Sequence, residues 1–149
     1  MRRLIFLSLI LGVTSMAKAQ TDPVSWNFTS KKLADKSYEV HLTATIEKGW
    51  HIYSQTTPAG GPIPTAFVFT KNPLLTFGTL PKESGKLEQH NEPLFGVNVK
   101  QYSDKVEFIQ TVKVKAAVIA TVKGTVEFMV CNDKTCLPPK VIPFSVALK

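Results

Sequence analysis

The chain has 149 residues, a formal charge of +7 and 44% hydrophobic residues. That length makes one ordinary domain, long enough to bury a core without disulfide staples. Arg occurs only at positions 2 and 3, and the lysines are spread along the sequence; nucleic-acid and phosphate sites favour the planar fork of Arg, so nucleic-acid binding is not expected.

Arg2 and Arg3 open the chain, Leu4 to Val13 is an apolar run, and Ala17-Lys18-Ala19 offers small residues where a signal peptidase reads. This is the order of a secretory signal, with cleavage expected after Ala19 and a mature chain from Gln20. The run is too short to span a bilayer, which takes ~20 apolar residues. No Cys follows it, which argues against a lipoprotein anchor, and no later stretch is apolar and long enough to cross a membrane. Without Arg2, Arg3 and Lys18 the domain, residues 20–149, keeps 15 lysines against 11 acidic residues, a net +4. A soluble exported protein is expected, periplasmic where the source has an outer membrane and secreted otherwise. Its surface charge gives a mild preference for acidic partners.

The mature sequence reads as β throughout. Trp26 and Phe28 suggest a first strand. Tyr38, Val40, Leu42, Ala44 and Ile46 then alternate with polar residues, the period of a strand with one buried face. Lys48-Gly49, Pro58 to Pro62 and Ser84-Gly85 are breakers, and the loop from Thr56 to Pro64 is the most flexible-looking piece. Phe67 and Phe69 mark a short strand ending near Asn72-Pro73. Val106, Phe108, Val112 and Val114 share one parity, and so do Val126, Phe128 and Val130. Ala116 to Val122 comes nearest to a helical period, but Val118, Ile119, Thr121 and Val122 are β-branched and favour a strand. Ile142, Phe144, Val146 and Leu148 close the chain as a last strand. Short strands separated by turns predict an all-β, immunoglobulin-like β-sandwich, without the Cys-Trp-Cys spacing of antibody domains.

The two cysteines are close: Cys131-Asn132-Asp133-Lys134-Thr135-Cys136. Export exposes them to an oxidising compartment, so a disulfide is expected. Asn-Asp-Lys-Thr is turn material, and a four-residue loop sets the cysteines opposite each other at the tip of a C-terminal hairpin. Cross-strand Cα atoms lie ~4.5–5.5 Å apart, within reach of the bond. As a staple the bond is weak: a loop of about six residues yields ~2 kcal/mol, against ~4.7 for a hundred-residue loop. Cys131 has the parity of Glu127 and Met129, opposite to Val126, Phe128 and Val130, so it is expected to face away from the core, where an incoming thiolate can reach it. Three uses remain open: thiol–disulfide exchange, a structural hairpin bond in a non-catalytic interaction module, and carriage of a soft metal such as copper through the thiols and Met129. A zinc site lacks ligands, because His41, His51 and His90 are scattered; each is read as a surface or partly buried residue.

The string from Phe128 through Cys131-Asn132-Asp133-Lys134-Thr135-Cys136-Leu137-Pro138-Pro139, with a last strand over Val141 to Leu148, resembles the active-site hairpin of the N-terminal periplasmic domain of the DsbD thiol:disulfide interchange reductase family. Gly49-Trp50-His51-Ile52-Tyr53-Ser54 is similar to that family's Gly-aromatic-x-x-Tyr strand, and Glu92-Pro93-Leu94-Phe95-Gly96 to its cap loop. The resemblance implies an immunoglobulin-like electron relay that needs no cofactor or metal. Such a domain takes electrons from a thioredoxin-like donor and passes them to disulfide isomerases or cytochrome-maturation thioredoxins. It implies that Cys136 makes the mixed disulfide, that Cys131 resolves it, and that Leu94 or Phe95 caps the pair. Trp50 and Tyr53 would frame the partner surface. The family pattern has five residues between the cysteines where this chain has four, and Leu94 stands where the cap aromatic is expected. No transmembrane or thioredoxin-like segment follows Lys149, so a free-standing, monomeric version that meets its donor by diffusion is expected.

Overall fold

The computed structural model describes residues 22–149; the expected leader, residues 1–19, lies outside the described residues. The regular structure among them is ten strands. These are β1 (Val24–Ala34), β2 (Ser37–Ile46), β3 (His51–Tyr53), β4 (Ala66–Phe69), β5 (Leu75–Phe77), β6 (Lys82–Glu92), β7 (Val97–Val114), β8 (Ala120–Phe128), β9 (Val130–Cys131) and β10 (Lys140–Leu148). They form two antiparallel sheets of an immunoglobulin-like β-sandwich. One runs β1-β2-β7-β3-β9, with β5 and β6 also paired to β7; the other runs β10-β8-β4.

Alternation in the sequence becomes burial. Val40, Leu42, Ala44 and Ile46 of β2 lie beside Val106, Phe108 and Val112 of β7 on one sheet and share one core with Val122, Val126 and Phe128 of β8 on the other. Aromatic rings fill its middle: Trp26 packs on Phe128 at 5.4 Å between centroids, Phe67 on Phe108 at 5.0 Å and Phe28 on Phe144 at 5.2 Å. Burying a side chain of that size contributes ~1.5–3 kcal/mol.

Two segments differ from the sequence expectation. Ser84-Gly85 does not end a strand; β6 runs through it, with a register shift between Gly85 and Leu87. A Cβ at Gly85 would lie 3.0 Å from the Lys105 carbonyl oxygen, so the absent side chain lets β6 lie close against β7. The segment from Thr56 to Pro64, expected to be a flexible loop, is anchored at its two ends. Thr57 Oγ1 donates to the Lys100 carbonyl at 2.6 Å and, just beyond, Thr65 Oγ1 donates to the Tyr53 carbonyl at 2.6 Å. The Glu83 carboxylate accepts from Ser54 Oγ, the Gln55 amide and Tyr102 Oη.

β7 positions the functional end of the molecule. Its buried residues change parity along its length, from Val99 and Gln101 to Tyr102, Val106 and Phe108. Asp104, with φ 62°, sits where the pairing partner of β7 changes. β3 pairs with β7 up to Ser103 and β2 takes over from Lys105. The later half of β7 faces the main core, and the earlier half serves a second, smaller cluster.

Candidate redox site around the cysteine pair

That smaller cluster holds the cysteines. Tyr53, Val99 and Cys131 are its buried members, with Val97, Met129 and Cys136 packed against them. β8 pairs with β10, Phe128 opposite Lys140, and the cysteines lie in the connection between the two. After Phe128 the chain leaves that sheet; Val130 and Cys131 join the other one as β9, beside β3. The change of sheet at Met129 resets the alternation. Cys131 is therefore fully buried at 0% exposure, not turned outward as its parity with Glu127 predicts. Cys136 is partly exposed.

Cys131 and Cys136 pair across a small antiparallel bridge. Leu137 N–H donates to the Val130 carbonyl and Asn132 N–H to the Thr135 carbonyl, both at 2.9 Å. These bonds flank the cysteines, which makes them a non-hydrogen-bonded pair, the position that brings Cα atoms closest. Their Cα atoms are 4.0 Å apart and the sulfurs are joined. Asn132 Oδ1 shapes the turn by accepting from the Lys134 and Thr135 amides at 2.9 Å. Turn, bridge and disulfide thus form one unit, with one cysteine fully buried and the other partly exposed.

A polar group missed by sequence reasoning adjoins Cys131. His51 is directly opposite it in the β3–β9 register. The imidazole is buried, and its Nε2 is hydrogen-bonded to Tyr53 Oη at 3.0 Å. Glu92, also buried, places Oε2 3.9 Å from Nε2 of both His51 and His90. Burial lowers the His51 pKa, with the Glu92 carboxylate opposing, so the ring is neutral at pH 7. Burial, then Glu92, pushes the Tyr53 phenol well above its ordinary range, so it stays protonated. A neutral base and a protonated hydroxyl therefore lie beside the buried cysteine. The available signals were the two-residue spacing of His51 and Tyr53, which puts both on one face of β3, and Glu92 at the head of the cap string.

Leu94 and Phe95, expected as the cap, lie outside the cluster. Pro93 to Gly96 turn β6 into β7; the Glu92 carbonyl accepts from Phe95 N–H at 3.1 Å and Gly96 N–H at 2.8 Å. Gly96 has φ 67°, a conformation that costs glycine nothing. Val97, the next residue, packs on the cysteine cluster. Leu94 projects from the turn at 56% exposure and Phe95 is half-buried. Trp50 packs against the main core instead, whereas Tyr53 touches the cysteine cluster. Among the described residues, no three His, Cys, Asp or Glu side chains gather as a metal site.

Comparison with known proteins decides the family. The family described as thiol:disulfide interchange protein DsbD, N-terminal, matches residues 19–147. The chain belongs to this DsbD N-terminal domain family. Its fold is similar to the N-terminal periplasmic domain of ScsB from Proteus mirabilis, at 15% identity and a TM-score of 0.59, covering 89% of this chain and 49% of that one. It is similar to the reduced DsbD N-terminal domain of Neisseria meningitidis, at 19% identity and a TM-score of 0.51, covering 80% of this chain and 83% of that one. This chain thus spans about half the length of the ScsB fragment. A yeast GGA1 GAE domain shares the sandwich at 11% identity and a TM-score of 0.50, covering 88% of this chain and 95% of that one. At such identities the likeness is one of fold, and fold alone assigns no chemistry. No curated protein matches the chain.

Proposed function

We propose that this DsbD-type domain relays electrons between thioredoxin-fold partners through the Cys131–Cys136 couple. The observation that carries the reading is the unequal burial of the two cysteines, Cys131 fully buried and Cys136 partly exposed. A donor thiolate attacks Sγ of Cys136 in line; the S–S bond breaks and Cys131 leaves as the thiolate. The donor's second thiol resolves the mixed disulfide, leaving the donor oxidised and this pair reduced. Outward transfer runs the same chemistry in reverse: the Cys136 thiolate attacks an acceptor disulfide. Cys131 then attacks Cys136, re-forming the internal bond and releasing the acceptor reduced. Two electrons and two protons pass in each half.

Cys131 needs a proton when it leaves and a base when it attacks. Neutral His51, opposite it, suits the exchange, and Tyr53 holds the ring in place. Leu94 and Phe95, on the turn leading into the cluster, act as a cap that a partner displaces, and the buried Tyr53 supports the pair from within. The signal-like leader and the family both support work in the periplasm.

Equilibration with glutathione and thioredoxin buffers, followed by thiol alkylation, tests the reading. A relay gives a reversible couple in the range of oxidoreductases. A structural bond in a non-catalytic interaction module stays oxidised to below about −300 mV, and that result refutes the proposal.

A further inference from the structure

Topology gathers lysines that the sequence spreads. The β1–β2 turn, the β4–β5 loop, the β7–β8 loop and the end of β10 meet at the pole opposite the cysteines. Three backbone hydrogen bonds tie these segments together: Val114 to Lys36, Lys115 to Leu74 and Thr70 to Lys123. Lys32, Lys36 and Lys149 line one open hollow of about 540 Å³, and Lys71 and Lys123 line a second beside it. Lys115 lies on the joining loop. All six are exposed, and none is in an ion pair among the described residues. Asp35 is the one side-chain carboxylate among the residues lining the two hollows, and the main-chain carboxylate of Lys149 offsets that residue's own ammonium; the next inward, Glu39, faces His41 at 3.5 Å.

Apolar side chains project from the same pole. Ile119 is 81% exposed, and Val118, Leu33 and Leu74 are also open. They stand on three separate segments, each with a lysine within four residues. Single apolar knobs set among lysines do not make the continuous desolvated centre of a protein interface. They match the boundary of a bilayer, where apolar tips enter and each lysine gains from anionic headgroups.

We infer that this pole docks on an anionic phospholipid surface. β8, nine residues long, spans the sandwich from this pole towards the cysteine connection, about 26 Å at ~3.3 Å per residue. Docking would hold the cysteine pair at roughly that height, facing away from the lipid. The inference is independent of the redox reading.

Sedimentation with vesicles tests it, using the chain from Gln20, which contains all ten strands. Phosphatidylcholine vesicles containing phosphatidylglycerol should bind at least ~10-fold more protein than pure phosphatidylcholine, and salt should reverse the gain. Ile119→Asp, and Lys36→Glu combined with Lys71→Glu, should each lower binding several-fold at an unchanged melting temperature. Lys48→Glu, in the turn that leads into β3, should leave it unchanged. Equal binding to both lipids, or full binding by the Ile119→Asp protein, overturns the inference. So does capture of an acidic protein by this pole with no vesicle binding.

Discussion

Reducing the disulfide should weaken the domain modestly and leave it folded. The bond joins residues five apart, and closing a loop of about six residues is worth ~2 kcal/mol. Little else depends on it. β9 stays paired with β3, two backbone bonds flank the cysteines, and Asn132 holds the turn. Cys131 remains packed among Tyr53, Val99 and Met129. For a domain of about 130 residues the unfolding entropy is roughly 0.27 kcal/mol per kelvin, so a loss of ~2 kcal/mol lowers the melting temperature by about 7 °C. Calorimetry and near-ultraviolet circular dichroism, with and without a phosphine reductant, measure this. A reduced protein that unfolds at 25 °C would refute the reasoning, because a relay must be folded in both states.

Three further outcomes follow from the geometry. The lowered His51 pKa means that the unfolded chain takes up a proton first on acidification; its stabilising contribution is complete above about pH 6.5 and is lost as pH falls towards the folded value, at no more than ~1.4 kcal/mol per pH unit. Urea titrations across this range should show that slope flattened in His51→Phe. Gly124→Ala should cost at least ~1–3 kcal/mol by urea unfolding, because the new Cβ would fall on the Val68 carbonyl oxygen and the Phe144 ring. Leu94→Ala with Phe95→Ala should speed air oxidation of the reduced pair several-fold with little change in melting temperature; an unchanged rate removes the cap.

Where burial follows strict alternation, the sequence read correctly: β2, the later half of β7, β8 and β10 each show one apolar parity, and the sandwich follows from them. It misled where the chain changes sheets or bends. Cys131 inherits no parity from Phe128, because β9 answers to β3 rather than β10. β6 reads Lys-Glu-Ser-Gly-Lys and is mostly exposed, so it carries no apolar signal; its partner β7 makes it a strand. His51 and Glu92 meet only once β3 and β6 flank the early part of β7. The lysine-rich pole arises in the same way, from three connections and the end of β10, distant in sequence.

The division of labour between the two sulfurs is the centre of the account, and trapping tests it most directly. Cys131→Ser and Cys136→Ser proteins are each incubated with an oxidised thioredoxin-fold partner from the envelope, and mixed disulfides are counted on non-reducing gels. Cys131→Ser, which keeps the open thiol and loses the resolving one, should accumulate the complex, and Cys136→Ser should not. Complexes formed equally by both variants, or only by Cys136→Ser, would contradict the assignment.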